Sequence, residues 1–276
     1  MFAMQRGKQQ IHVQSGNLCP IYVNQSKLGC RHCMKFDYRT TDSMEAKSRS
    51  LQQVRDKVAS AHKDCSPAEK LHFYNQWATQ YEEDVSVLEY KAPYLAAAAL
   101  ASVCTVNRET KLVLDVACGT GLVSEELQRF GFTLFHGLDG SAGMLEVAKN
   151  KELYQELKQC MLGQDPLPFD SDKYDAVLLV GALSDGQVPV SVVFELLRVT
   201  KPGGLVCLTT RSNVSNLKYK AELEEVMSAM QSKGHWEQIL VQEVEQWEKA
   251  VSEKETSSNS DYIPGVIYIY KKHGDL

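Results

Sequence analysis

This sequence predicts an α/β fold: a Rossmann-like, seven-stranded, mostly parallel sheet with helices on both faces and an N-terminal helical lid. Three observations predict it. From Lys111 onward, short apolar runs alternate with amphipathic segments, the pattern of strands joined by helical crossovers. One run, Leu112 to Ala117, breaks into a glycine turn, Cys118-Gly119-Thr120-Gly121, and then into a helix. Five such strands are followed by a helix and two late strands, which completes seven.

Residues 1–43 mix polar residues with Gly, Asn and Thr and keep no sustained period, so an extension without fixed structure is expected there. The next stretch, Met44 to His62, is helix-friendly, with Leu51, Val54, Val58 and Ala61 on one face; a start at Met44 would leave a self-consistent protein. Ser66-Pro67-Ala68-Glu69 opens a helix, Ser66 capping it and Glu69 reaching back. That helix carries Leu71, Tyr74, Trp77, Ala78 and Tyr81, and Pro93 opens another that runs to Cys104. Residues 44–105 are therefore expected to form the lid region and 106–276 the core.

Within the core, strands are expected at Leu112 to Ala117, Thr133 to Leu138, Gln159 to Leu162, Tyr174 to Val180 and Leu205 to Thr210. Helices are expected at Gly121 to Phe130, Ala142 to Lys149 and Val190 to Val199, with Lys201-Pro202-Gly203-Gly204 as a stop and turn. A helix from Leu217 to about Lys233, an alternating strand near Trp236 to Val244, an exposed loop at Glu253 to Asp261 and a strand at Val266 to Tyr270 complete the chain.

With 276 residues, 43% of them apolar and 24% charged, the chain has the bulk of one enzyme-sized domain with an elaborated end. A net charge of -5 opposes a broad phosphate-tracking surface, so nucleic acid is disfavoured as a partner. Leu95 to Cys104 and Val177 to Leu183, the longest apolar runs, fall short of the ~20 residues that span a bilayer. Met1 to Lys8 leads into no leader-like apolar run. No membrane partner is expected, and a cytosolic address, open to the nucleus as well, is the default for a monomer. The eight cysteines read as free thiols. Cys30-Arg31-His32-Cys33 with Cys19 makes too crowded a ligand set for a structural zinc ion, and no metal is expected.

The chemistry concentrates at the glycine turn. Gly119 and Gly121 permit backbone geometry and ligand approach that a side chain would block, although a bare strand-to-helix turn needs the same freedom. A dinucleotide fingerprint has a third glycine where Ser124 stands, which argues against a nicotinamide-dependent oxidoreductase. Asp115 inside the strand would repel a pyrophosphate but suits a sulfonium ligand that carries an ammonium group. Asp139, at the end of the second strand, can accept both hydroxyls of a ribose for either cofactor, or can serve as a turn or cap aspartate.

Together, Asp115 to Gly121, Asp139, the Ser141-x-x-Met144 helix start and Lys201-Pro202-Gly203-Gly204 resemble the class I S-adenosylmethionine (SAM)-dependent methyltransferases. Leu71-His72-Phe73-Tyr74, Asp115 to Val123, Val180 to Pro189 and Val199 to Arg211 narrow the resemblance to the Williams-Beuren-region methyltransferase-like proteins, over roughly Met44 to Trp236. The resemblance implies SAM as cofactor. It implies that Ala117, Cys118, Gly119 and Gly121 lie along its methionine and ribose portion and that Asp139 and Gly140 hold the ribose. Met144 would cover the adenine, with a plain core methionine as the alternative. A polar residue belongs beside the adenine amine, where Asp165 can accept that hydrogen bond, with Gln164 as its competitor. Gly181 in Val180-Gly181-Ala182-Leu183 would face the methyl group, unless it is only a turn glycine. The helical stripe of Tyr74, Trp77 and Tyr81 reads as core by pattern alone, but a related lid helix would bring the Tyr74 and Tyr81 hydroxyls to the cofactor carboxylate.

Methyl transfer from a sulfonium is an in-line displacement with a neutral leaving group, so positioning and desolvation carry much of it and a base is optional. Asp185 and His72 are the available bases, and Arg211 or Asn213 could orient an acceptor; none is assigned a role. The acceptor is unidentified, with a small molecule or protein side chain favoured over nucleic acid. A scaffold or sensor that keeps the pocket without turnover is the rival from another class.

Overall fold

Strands that are apolar on both faces have to be covered on both faces, and the sheet is built that way. This computed structural model describes residues 50–61, 66–251, 255 and 261–274. The expected extension at 1–43, the set of Cys19, Cys30, His32 and Cys33, the start at Met44 and most of the 253–261 loop lie outside the described residues.

Four helices come first: α1 (Leu51–Ala61), α2 (Pro67–Trp77), α3 (Tyr81–Val87) and α4 (Ala92–Val103). The core then alternates β1 (Leu112–Val116), α5 (Leu122–Arg129), β2 (Leu134–Asp139), α6 (Ala142–Asn150) and β3 (Tyr154–Gln159). It continues with β4 (Tyr174–Leu183), α7 (Val192–Val199), β5 (Thr200–Arg211), α8 (Leu217–Ser232), β6 (Trp236–Lys249) and β7 (Tyr262–Lys272). The sheet order is β3-β2-β1-β4-β5-β7-β6, and β1 to β5 run parallel. Because β7 is antiparallel to both β5 and β6, it alone is reversed. The chain builds outward from β1 in one direction and from β4 in the other, so a crevice opens beyond the carboxyl ends of those two strands.

Alanine-rich α4 lies close against one face with α5, burying Ala96, Ala97, Leu100 and Leu127 against Val113, Phe135 and Leu178. On the other face α7 and α8 bury Val193, Leu196, Leu223 and Met227 against Leu114, Val116, Val177 and Leu179. Val54 and Val58 of α1 meet Trp77 and Leu88 in a third, smaller cluster under the lid.

Four local readings are adjusted by the structure. The helix opened by the Ser66–Glu69 capping box does not run unbroken to Tyr81: residues Ala78–Gln80 form a 3₁₀ turn, and α3 starts afresh. The tighter turn places buried Asp84 where its carboxylate accepts the Trp77 indole N–H at 2.7 Å. The third strand lies earlier, at Tyr154–Gln159, because an edge strand needs no apolar run, and the apolar Cys160, Met161 and Leu162 face the crevice instead. Lys201 to Gly204 sit within β5 as a bulge: Tyr174 pairs with Thr200 and Ala176 with Leu205, while Gly203 takes φ +77°. Finally, β6 continues past Val244 through an irregularity to Lys249. Its far end pairs with the link between α3 and α4, Lys91 N donating to Trp247 O at 3.1 Å and Lys249 N to Leu88 O at 2.8 Å.

Beneath the glycine turn a buried carboxylate ties three elements together. Asp115 Oδ2 accepts the Ser124 hydroxyl at 2.9 Å and the Tyr154 hydroxyl at 2.8 Å. The Tyr154 ring reaches it through a channel floored by Gly121 and Gly137; a methyl group on Gly137 would stand 2.8 Å from that ring. Burial raises the Asp115 carboxyl to about 6 despite the two hydroxyl donors. The folded protein therefore holds this proton more tightly than the unfolded chain, and the stability it contributes is lost as pH rises through the window from the ordinary carboxylate value of 3.8 to about 6. Asp115→Asn, which keeps an acceptor for both hydroxyls, removes that dependence. Raising the pH from about 4.5 to about 7 should destabilise the wild type relative to the variant by on the order of 2 kcal/mol, read from urea melts at each pH. A gap that does not change with pH would refute the burial argument.

Candidate active site

A cavity of about 450 Å³ fills the crevice between the carboxyl ends of the strands and the lid helices, within the size range of small-molecule sites. Its floor starts at the turn after β1. Ala117 is held at φ +55°, a left-handed conformation costly for an alanine, and Cys118 N donates to Leu138 O at 2.9 Å to fix it. Gly119 also has φ +55°, and a methyl group built on it meets nothing within 4 Å, so its backbone faces open space.

Asp139, at the end of β2, faces that space. Its Oδ2 accepts Gly119 N at 2.9 Å and its Oδ1 accepts Ser141 N at 2.8 Å. Burial holds its carboxyl above the ordinary range, against the downward pull of these amides. A carboxylate has about four lone-pair positions, so two remain for a ligand. Ser141 caps α6, receiving Met144 N at 3.1 Å, and its own hydroxyl donates to Asn75 Oδ1 of α2 at 2.7 Å. The same Asn75 oxygen accepts Gly143 N at 3.0 Å, so the lid docks onto the first turn of α6.

Beside this end, Gly140, Met144 and Gln164 lie on the wall. Met144 is buried as well as lining, which satisfies both readings of it. Gly163 packs so closely on Pro189 that a Cβ would overlap the proline ring, and the turn it makes puts Gln164 on the wall while Asp165 is exposed and off it. Asp115, Cys118 and Gly121 also stand off the wall: the structure puts them behind the turn as its support. Cys118 is buried there, its thiol pushed well above the ordinary range by burial.

The lid forms the roof through Tyr74, Trp77 and Tyr81. Trp77 packs edge-on to Tyr81 at 4.9 Å and is itself nearly buried, so one aromatic stripe is both core and wall. Lys70 Nζ donates to Gly186 O, joining α2 to the loop after β4. Lys151 Nζ lies 2.7 Å from both Glu82 of α3 and Glu125 of α5, a second tie between lid and core.

The inner end is of different character. Gly181, near the end of β4, has φ +78°, its N–H donates to Thr209 Oγ at 3.0 Å, and a side chain there would overlap the Tyr90 hydroxyl. Trp247 and a buried ion pair, Arg211 Nε to Glu248 Oε1 at 2.8 Å, close this end. Of the residues considered for acceptor chemistry, Arg211 is on the wall; Asp185 and His72 are exposed and off it, and Asn213 is buried elsewhere. Sequence patterns missed Tyr90, Trp247 and Glu248. Tyr90 lies in a short link without a period, and the other two reach the cavity only because β6 is carried around the reversed β7. Asn75 was equally silent, a polar residue on what looked like the exposed side of α2.

Among the described residues, no group of three His, Cys, Asp or Glu side chains is placed to hold a metal ion, and Cys104, Cys118, Cys160 and Cys207 are free. No described helix is long and apolar enough to cross a membrane.

The family described as "Methyltransferase domain" matches residues 114–208, from β1 through β5. Human methyltransferase-like protein 27 is 53% identical over 191 residues, spanning 69% of this chain and 78% of the human protein. A demethylmenaquinone methyltransferase of Renibacterium salmoninarum is 39% identical over 92 residues, 33% of this chain and 38% of that one. In structure, a chain from the complex between the Haloferax volcanii Trm112 methyltransferase activator and a methyltransferase superposes with a TM-score of 0.51 at 17% identity, over 74% of this chain and 97% of that one, a likeness of fold alone. With 53% identity sustained over most of a methyltransferase-like relative, and with a family match that begins in the strand feeding the glycine turn, the chain belongs to the class I SAM-dependent methyltransferases.

Proposed function

We propose that the cavity binds SAM along its length and delivers the methyl group at the Gly181 end to a small-molecule acceptor. The observation that carries this reading is Asp139: a part-buried carboxylate, already oriented by two backbone amides, facing a glycine with nothing above it. That cradle fits a ribose with its two hydroxyls on the carboxylate and the adjoining chain over Gly119. Met144, Gly140 and Gln164 would hold the adenine side, with the Gln164 carboxamide on the amine. Tyr74 and Tyr81 would take the amino-acid end under the lid.

When bound, SAM supplies an electrophilic methyl carbon on a positively charged sulfur. The chain's own part is placement and exclusion of water. Lid side chains Tyr74, Trp77, Val85 and Leu88 roof the cavity, and a sealed low-dielectric site strengthens each polar contact inside it. The cationic sulfur would lie in a region with two carboxyls, part-buried Asp139 on the wall and buried Asp115 behind it, whose mutual repulsion a positive ligand relieves. A small acceptor is supported by the enclosure of the inner end, by the net charge of -5 and by a relative named as a demethylmenaquinone methyltransferase.

Titrating SAM calorimetrically into wild type, Asp139→Ala and Gly119→Val tests the cradle. Removing the carboxylate should weaken binding about 10- to 100-fold, the scale of a lost hydrogen-bond pair to a charged group. The valine, strained at φ +55° and projecting into the cavity, should abolish it. Equal heats from all three proteins would remove the assignment. Gln164→Ala should weaken SAM by about 3- to 10-fold and Asp165→Ala should leave it within about 2-fold; the reverse order would hand the adenine contact to Asp165.

A further inference from the structure

The hydroxyl of Tyr90 stands against Gly181, where the methyl group would be presented, and makes no hydrogen bond to any other described residue. We infer that Tyr90 is the acceptor-binding hydroxyl, and that the acceptor is a small oxygen acid, a phenol or enol, that enters ionised and is methylated on oxygen. The inference rests on the reading of the cavity as a SAM site and extends it to the substrate.

Three observations support the chemical class. First, the polar groups around Tyr90 are already committed. The Thr209 hydroxyl accepts Gly181 N–H, and the Thr210 hydroxyl donates to Leu183 O at 2.6 Å and accepts Asn216 Nδ2 at 3.0 Å. Second, no base is on offer. The described cavity wall carries no histidine, and its two carboxylates are Asp139, held by backbone amides, and Glu248, paired with Arg211 at 2.8 Å. An amine would leave here as a cation with no carboxylate spare to take its proton, and it needs no O–H donor on arrival, whereas a phenol or enol acidic enough to ionise near neutral pH loses its proton to water before entry and arrives as the anion that an O–H donor suits. Third, burial raises the Tyr90 hydroxyl well above its ordinary range, so it remains an O–H donor, the kind of group that an incoming oxyanion needs. Trp247, Leu88 and Val180 supply apolar walls for a ring or a planar enol.

The step balances without a protein base. A lone pair of the acceptor oxygen forms the new C–O bond to the methyl carbon as the S–C bond breaks, and the sulfur keeps that bond's electron pair. An anion and a sulfonium thus become a neutral ether and a neutral thioether, and no proton moves. The Tyr90 O–H holds the oxyanion in line and is released as its charge disappears.

The test uses the full chain loaded with S-adenosylhomocysteine, and its Tyr90→Phe variant. Binding of 4-nitrophenol, 4-nitrocatechol and cyclohexane-1,3-dione, oxygen acids that ionise near or below neutral pH, against aniline and benzylamine, is read by saturation-transfer NMR, and methyl transfer from tritiated SAM is read in parallel. The expected result is that oxygen acids bind and accept methyl while the amines do not. Tyr90→Phe should lower transfer to oxygen by about 10-fold or more in kcat/KM, chiefly through a raised KM for the acceptor, the scale of one lost hydrogen bond to a charged group, with S-adenosylhomocysteine affinity unchanged within about 2-fold. Preference for the amines, binding by none of the five probes, or an unaffected variant would overturn the inference. Failure of the wild type to bind S-adenosylhomocysteine at all is a separate outcome that would bring down the cofactor reading and this inference with it.

Discussion

Everything at this site depends on one part-buried carboxylate held from three directions. Asp139 ends β2, accepts an amide from the turn after β1 and another from the first turn of α6. Through Ser141 and Asn75 the same group is connected to the lid. A side chain on its own would rotate freely and lose that freedom on meeting a ribose. Here the rotamer is fixed in advance, and the strand end, the glycine turn and the lid are aligned by the same hydrogen bonds. Desolvation raises the carboxyl of such a group, and the amides pull it back by favouring the charged, accepting form.

A second carboxylate, the fully buried Asp115, has the opposite task. Its Oδ2 takes two hydroxyls from below and it presents nothing to the cavity. Ser124, where a dinucleotide-binding turn would have its third glycine, is one of those donors, so the residue that separates the two kinds of turn also has a structural use. Tyr154 fills the space under Gly121 and Gly137, which are small because its ring is there. The glycines of the turn thus divide: Gly119 is open to the ligand, and Gly121 is backed by an aromatic ring.

Which parts of this were legible in the sequence follows from how local each one is. Strand, turn and helix at Leu112 to Arg129, and the aspartate ending the next strand, are written in neighbouring residues, and their identity fixes their geometry. The sevenfold sheet was readable because alternation survives errors of several residues in any one element. The third strand was misplaced because its outer position relaxes the need for apolar residues, and the apolar triplet beside it serves the cavity. Gln164 and Asp165 stayed ambiguous because one residue of register decides which side chain faces inward, and the Gly163 contact with Pro189 that decides it spans distant parts of the chain. Tyr90, Trp247 and Glu248 depend on the reversed β7 and on the pairing of the β6 end with the lid link, neither of which leaves a periodic trace.

That pairing also constrains how the site opens. The link holding Tyr90 is bonded at Leu88 and Lys91 to the end of β6, so it belongs mechanically to the sheet. Ahead of it, α2 and α3 reach the core mainly through side chains: Asn75 on α6, Lys70 on Gly186 and the shared Lys151. Exposed pairs such as the last are individually weak, on the order of 0.5 kcal/mol, and side-chain ties re-form readily after breaking. Entry of a ligand is therefore least costly by lifting α2 and α3 while Tyr90, Arg211 and Trp247 stay in place. On the proposed reading, a lid that opens on that side would uncover Asp139 and leave the inner wall standing, so Tyr90 would keep its position while a ligand enters and leaves.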